Sequence, residues 1–534
     1  MSDRMRLSGI NSGMDTQSIV EQLVTAKSTK KEKLEKEKTK LGWKQDSWKT
    51  LNSKLFSLYN EQFGTLRLQG SFKTKKASIV DSSIASVTAD SGAVNGTQTL
   101  AVKQLSKTNY LTGKKLDDSV TSSTSVTDVV GDDGFMQSFD NGEKVTAFKV
   151  YKNQDDTTGT DIFIDSSMTM ETIAKQFANA GLNASYDSNS HRFFISSQTE
   201  GDDGNFRITS NGEEVFPADD VTDDVKESAG YKMLDALGIT AEAAGTGYIK
   251  GQNAIIELNG AEFESSTNLF QINGINITAT QVSDKDSNGD YITTNVSVAT
   301  DVDGIYDMIK SFFTKYNEII TEMDTLYNAD SSKGYEPLTS DEKDAMSEDE
   351  IEEWEKKIKD SLLRRDDNLG TLISTLKDTM SSVYTLSDGS KYSLASFGIN
   401  TLSYFEADEN ERGVYHINGD SDDDKTKGNE DVLKSMLTNN MDETMEFFNT
   451  LAKSAYDKLG KLMTREEGYR SFQSLYDDKL LQTEYDKLTD DIEAEEEYLS
   501  DYEDKWYDKF AAMEKAMEKV NSKSSALAGL LGSY

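Results

Sequence analysis

The 534-residue chain has no cysteine, two prolines and two histidines. Without cysteine there are no disulfides, thiolate metal sites or cysteine nucleophiles. The histidines, His191 and His416, each sit in an alternating strand-like stretch, where a lone histidine is ordinarily a surface or half-buried side chain rather than a catalyst. With only Pro217 and Pro337, long stretches are free to run as helix. No apolar run approaches the length of a membrane span, so membrane insertion is not expected. Positive charge is also scarce. The 57 Lys and Arg against 95 Asp and Glu leave a net charge of −38. Such a surface repels phosphate backbones and anionic lipid, which argues against nucleic acid as a partner. Residues 1–13 carry no hydrophobic secretion core or cleavage signature, which fits a cytosolic protein and equally fits export without signal cleavage.

The length implies three or four domains. At the start, Ile19 to about Leu68 reads as one helix. Its apolar positions are Ile19, Leu23, Ala26, Leu34 and Leu41, then Trp48, Leu51, Leu55, Leu58 and Leu66, in steps of three, four and their sums. Nine lysines and four acids lie between Lys27 and Lys49, a local +5. The end of the chain mirrors this with Leu488, Ile492, Leu499, Tyr502, Trp506, Phe510, Met513, Met517, Val520, Leu527 and Leu531. Two successive steps of four at Tyr502–Trp506–Phe510 make a stutter, and Glu495 falls on the seam, where it weakens packing. Asp477 to Asp504 holds thirteen acids and two lysines, a local −11. Both stripes are too narrow to face a globular core, and their charges are complementary. The ends are therefore expected to zip together, antiparallel, into a stalk.

Between the ends the period changes to two. Ser78 to about Ala299 is rich in Thr, Ser, Val, Gly and Asn, with alternating runs such as Ile84–Val87, Gln98–Val102, Phe148–Tyr151, Ile162–Ile164, Ala254–Leu258 and Ile292–Val298. Asn-Gly pairs at 95, 211, 259, 273 and 288 signal turns. One short helix, Met170–Ala180, precedes a strand pair at Asn183–Tyr186 and Phe193–Ser196. Helix returns with a broad stripe from Ile305 to Leu326, then a capping box at Ser347 and Glu350. A hairpin follows at Ile399–Leu402 and Val414–Ile417, then helix from Asn429 to Met463. The fold class is α+β multidomain, with a β-rich middle inserted between helical ends.

Motifs that carry chemistry are few. Asp284–Gly289 matches the first half of a calcium loop, but Asn295 stands where a bidentate Glu is needed, so a hairpin turn is expected. Asp420–Asp424 has Lys425 where such a loop needs Gly and reads as a solvated loop. Gly245, Gly247 and Gly251 have the wrong spacing for a dinucleotide fingerprint. No catalytic, metal or cofactor constellation is expected, and a self-assembling, non-enzymatic protein fits the residues best.

Leu7-Ser8-Gly9-Ile10-Asn11-Ser12-Gly13-Met14-Asp15-Thr16, followed by Ile19-Val20-Glu21-Gln22-Leu23-Val24, resembles the opening of the bacterial flagellar filament cap family, the second hook-associated proteins. Trp43–Trp48 with Leu51–Leu55, Pro337 through Trp354 with Leu362–Arg364, and Met513 through Ser525 resemble later stretches of that family. The β middle matches only as a pattern. The resemblance implies a ring of copies, commonly a pentamer, at the distal tip of the filament. It also implies unfolded export through the flagellar type III apparatus with an export chaperone, and terminal legs that help flagellin fold and insert. On this basis the leg is expected from 1–45 with 480–534 and a helical bundle from 46–75 with 301–479. One β-rich head domain is expected from 76–110 with 240–300 and another from 111–239. The expected motif and leg residues are Ser12, Gly13, Met14, Asp15, Ile19, Leu23, Trp48, Leu499, Tyr502, Trp506, Phe510, Met513, Met517 and Val520. The alternatives are an adhesin whose head binds a host surface or mucin, and another axial protein such as one at the hook–filament junction.

Overall fold

The computed structural model describes residues 13–131, 137–138, 144–218, 220–403 and 405–531. The chain divides into two compact units, Met1–Phe72 with Val302–Tyr534, and Lys73–Asp301.

The first unit is helical. Helix α1 (Thr16–Thr25) and helix α2 (Thr29–Ser57) lead through a π-helical turn at Leu58–Phe63 into a short turn ending at Leu66. They are joined by the helices Val302–Asn328, Glu348–Asp360, Asp367–Met380 and Met441–Leu462, and by a final helix of 54 residues, Asp478–Leu531. The core gathers the broad stripe of Val302–Asn328 (Ile309, Phe312, Phe313, Tyr316) around Trp48, Leu51, Leu55 and Phe63. Aromatic rings fill it: Phe63 meets Phe312 edge-on at 5.1 Å, and Phe397 stacks on Phe447 at 4.6 Å. Each fully buried Leu or Phe contributes roughly 1.5–3 kcal/mol.

Three expectations need correction here. The N-terminal helix is not continuous. It breaks at Ala26–Ser28, where the Ser28 hydroxyl donates to the Thr25 carbonyl at 2.9 Å and competes with the helical ladder. The step of five from Leu58 to Phe63 is that of a π turn, and it brings both side chains into the core. The helix expected from Asn429 to Met463 is two helices, Val432–Asn439 and Met441–Leu462, hinged at Asn440 with φ −136°. The Asp420–Asp424 loop is not simply solvated. Lys310 reaches both Asp420 and Asp422 at 2.6 Å, His416 Nδ1 lies 2.7 Å from Asp423, and Asp420 is only 8% exposed.

The second unit carries seventeen described strands: β1 (Lys75–Ile79), β2 (Ala85–Ala89), β3 (Gly96–Gln104), β4 (Thr108–Thr112), β5 (Gln137–Ser138), β6 (Lys144–Tyr151), β7 (Thr160–Asp165), β8 (Leu182–Asp187), β9 (Arg192–Glu200), β10 (Arg207–Ser210), β11 (Glu213–Phe216), β12 (Tyr248–Ile249), β13 (Ala254–Leu258), β14 (Ala261–Ser265), β15 (Leu269–Ile272), β16 (Ile275–Ala279) and β17 (Thr294–Thr300). Sheets β1-β17-β3-β13-β14 and β15-β16-β2 share one core, built on Leu100, Val102, Ile256, Ile277 and Val296. Sheets β11-β10-β6-β5, with β7 on β6, and β12-β4-β9-β8 share another with the helix Met170–Asn179. That core holds Phe148, Phe177, Phe193, Phe206 and Phe216.

The chain passes between the two cores after β3 and returns before β13. The two crossings are stapled by buried amides. Asn109 Nδ2 donates to Asn205 Oδ1, which also accepts from Gly251 N at 2.8 Å. A Cβ on Gly251 would stand 2.5 Å from the Gly201 carbonyl oxygen, so only glycine fits there.

At 211, 259 and 273 the Asn-Gly pairs are tight turns with both residues at positive φ, as expected of hairpins. The Asp286 carboxylate is taken by the backbone N–H groups of Asn288 and Asp290, closing its turn internally. Two expectations miss. His191 lies in the turn before β9 at φ 56°, with Nδ1 2.7 Å from the Val120 carbonyl oxygen. Met170–Asn179 is not the sole helix of the middle: Val126–Val130, Asp223–Lys226 and Ala241–Ala244 are single turns of helix, and Ala229–Ala236, capped by Ser228, is longer. At eight residues it is too short for a periodic stripe to stand out.

Candidate functional site: the paired terminal helices

Helix α1 opens on a cap. Gly13 turns the chain at φ 69°, and the Asp15 carboxylate accepts the Ser18 N–H at 3.1 Å. Thr16 and Val20 then bury fully while Met14 stays exposed. The buried residues of this helix are thus Thr16 and Val20, whereas Ile19 and Leu23 are half-buried. Ser12 lies outside the described residues.

Helix α2 runs antiparallel to the C-terminal helix and to the segment just before it. Lys30 Nζ meets Glu495 at 2.6 Å and Lys31 Nζ meets Glu496 at 2.8 Å. Farther along, the Lys38 ammonium lies 5.0 Å from the centre of the Tyr485 ring. Trp48 stacks on Tyr476 at 5.2 Å with planes 4° apart, and Asn52 Oδ1 accepts the Leu475 N–H at 2.9 Å. Partner numbers fall from 495 to 475 as α2 advances from 30 to 52, which is the pairing the complementary charges led us to expect.

Glu495 is where the seam reading needs amending. It is buried to 8% exposure, but its carboxylate is satisfied by Lys30, and that hydrogen bond raises the Lys30 pKa. Bonding to Glu496 raises that of Lys31 in the same way. A charged residue on the seam is therefore a register mark as well as a weak point. Ile492 and Leu499 flank it, both buried.

The basic face of α2 also reaches acids beyond the C-terminal helix. Lys36 pairs with Glu342 at 3.0 Å, Lys44 with Asp366 at 2.9 Å and Lys54 with Glu322 at 2.7 Å, all outside the C-terminal helix. Lys359 sits 4.5 Å over the Trp43 ring. Glu342 is held below its ordinary pKa of 4.5, chiefly by the Thr339 backbone N–H it caps and then by Lys36. Sequence reasoning saw the blocks of charge but not these acids, whose only signal is opposite sign in a distant helix.

Toward its end the C-terminal helix changes character. Tyr498, Tyr502, Trp506 and Phe510 form a ladder with ring centres 6.4, 6.2 and 6.0 Å apart. Uniform steps of four advance around the helix, so the ladder leaves the seam: Tyr498 is exposed, and Tyr502, Trp506 and Phe510 are half-buried. Met513 is half-buried, while Met517 and Val520 are exposed, Val520 to 61%. Trp48 stands apart from all of these, in the bundle core. The expected residues are thus spread over a cap, a seam, a half-exposed ladder and an exposed tail. Among the described residues no group of three or more His, Asp or Glu is placed to hold a metal, and no helix is long and apolar enough to cross a membrane.

Comparison with known proteins covers both ends of the chain. Residues 12–109 match the family model for the flagellar hook-associated protein 2 N-terminus, and residues 251–522 match that for its C-terminus. The chain is 26% identical over 467 residues to flagellar hook-associated protein 2 of Halalkalibacterium halodurans, covering 84% of this chain and 80% of that one. It is 25% identical over 329 residues to the protein of that name from Aeromonas caviae, covering 60% and 62%. Among solved structures, the D1-D2-D3 domains of the flagellar cap protein FliD from Escherichia coli align with 79% of this chain and 96% of that one. The TM-score is 0.50 at 16% identity, a likeness of fold.

Proposed function

Because this chain belongs to the flagellar hook-associated protein 2 family, the cap at the distal tip of the bacterial flagellar filament, we propose that its paired terminal helices are a leg by which the cap stands on the filament end. Several copies form a ring, and each leg holds open a place where an exported flagellin subunit folds and inserts. The division into a leg (1–45 with 480–534), a bundle and two β-rich head domains belongs to this reading. The role is structural, with no reaction catalysed.

The observation that supports it best is the Lys30–Glu495 contact within a thin seam. A leg that must shift as the filament end changes shape needs a defined register and little packing energy. A partly buried ion pair between sparse apolar contacts supplies both. Threading through an export channel also suits a chain with no cysteine to cross-link and few prolines to isomerise slowly.

Deleting the gene is expected to leave cells without filaments and releasing monomeric flagellin into the medium. Restoring the wild-type chain recovers filaments, whereas restoring Glu495→Lys recovers them only in part. Filaments of normal length in the deletion strain would overturn the capping role.

A further inference from the structure

Between the helices Val302–Asn328 and Asp367–Met380 the chain makes a long excursion, residues 329–366. A link of about 2–8 residues would join two such helices. The ends of the excursion lie side by side. Ser361 Oγ donates to Ser332 Oγ at 2.6 Å, and the Arg365 N–H donates to the Tyr327 carbonyl at 3.1 Å. Between those ends the excursion builds its own structure. Helices Ser340–Asp344 and Glu348–Asp360 both open on capping boxes, Thr339 with Glu342 and Ser347 with Glu350. The Trp354 indole donates to the Glu336 carbonyl at 2.8 Å and lies 4.6 Å from the Tyr335 ring.

This element grips α2. Lys36 pairs with Glu342, Trp43 carries the Lys359 ammonium over its ring, and Lys44 pairs with Asp366. Positions 36, 43 and 44 share one face of a helix. Lys31 and Lys38, which meet the C-terminal helix, lie on another face, roughly 150° around the axis. Helix α2 is thus held from two nearly opposite sides, just before it enters the bundle core at Trp48.

The grip is polar rather than packed. A recess of 520 Å³ remains between Trp43, Ser47 and Thr50 on one side and Lys359 and Leu362 on the other. Glu355 takes Lys343 at 2.7 Å and Lys359 at 2.9 Å, which holds the Lys359 ammonium in place. An element that served bundle stability would bury a broad apolar face. Here Ile358 and Leu363 are the aliphatic side chains at 0% exposure, and of the two Leu363 belongs to the bundle core. Charged contacts of this kind fix a direction while adding little to stability.

We propose that residues 329–366 are a brace that fixes the direction in which the leg leaves the bundle, with Lys36, Trp43 and Lys44 as the positioning residues it grips. The inference rests on the reading of the paired terminal helices as a leg, and it adds what aims that leg. The C-terminal helix sets the register of α2, and the brace sets its angle.

Distances between two spin labels in the full chain test it, since a chain without cysteine is labelled at introduced thiols alone. One pair, Ser500→Cys with Ser374→Cys, spans leg and bundle at exposed positions, and a second, Ser53→Cys with Ser374→Cys, lies within the bundle. Residues 333–360 are excised and the gap closed with two glycines, which the adjacency of Ser332 and Ser361 allows. The leg-to-bundle distribution should at least double in width, while the bundle pair and the unfolding midpoint stay as in the intact chain. Lys36→Glu should broaden it to a smaller extent, and Lys36→Arg should leave it at the wild-type width. Equal widths for Lys36→Glu and Lys36→Arg would overturn the proposal, and decide it even if the excised chain does not fold. So would a wild-type width after excision, or equal broadening of the bundle pair. Failure of the capping role shows separately, as filaments of normal length in the deletion strain, and does not alter the label distances.

Discussion

Helix α2 lives in two environments. From Lys30 to Leu41 it is a strand of a thin two-helix seam, where its side chains are half-buried or exposed and ion pairs set the register. From Trp48 to Leu55 the same helix is embedded in the bundle, with Trp48, Leu51 and Leu55 all at 1% exposure or less. Backbone and helix propensity are shared, so the difference lies in what the apolar stripe meets. A stripe of one residue per turn finds one neighbour, while a stripe widened by Trp48 and continued through the π turn finds a core. The bundle end should hold firm while the seam end yields.

The largest effect should come from the bundle end. Trp48→Ala removes a fully buried ring stacked on Tyr476 and should cost about 3–5 kcal/mol, read from denaturant unfolding followed by far-ultraviolet circular dichroism. In the seam, Val20→Ala should cost about 2 kcal/mol at most and fray the N-terminal helix without moving the main transition, as hydrogen exchange of residues 16–25 would report. Glu495→Lys sets like charges against Lys30 and should have a smaller effect still, loosening the register while the bundle melts as before. If Glu495→Lys lowered the main transition as much as Trp48→Ala, the two halves of α2 would not differ as described.

The smallest effect concerns acid. The Glu342 carboxyl has its pKa lowered in the fold, so its contribution is present above its ordinary value of 4.5 and is lost as pH falls through the lower folded value. Acidification below that range should therefore release Lys36 and uncap Ser340–Asp344 while the bundle core stays intact. Comparing amide exchange of residues 339–345 with that of 309–320 would show it.

The contrast also explains what could be read from residues alone. Opposite charge blocks and matched three-four steps were enough to pair the ends, because a coiled seam is a local repeating pattern. Period-two runs and Asn-Gly turns were enough to find the strands β3, β6, β9, β13 and β17. What escaped was whatever depends on a distant partner. Ser28 breaks the helix by its own hydroxyl bond, and Phe63 reaches the core only because a π turn resets the phase. Lys310 converts the Asp420–Asp424 loop from a solvated segment to a docked one. The exposure of Met517 and Val520 was hidden for the opposite reason: their spacing continues a seam whose contacts have already ended.

Since the chain has no cysteine, a pair of introduced thiols is a clean reporter of the leg. Lys31→Cys with Glu496→Cys, placed in caps assembled on filaments and mildly oxidised, should yield a disulfide within one chain and leave filament growth intact. Single substitutions should give none. Thiols that stay free in both, or that join only between chains, would show that the two ends of the protein do not form the leg.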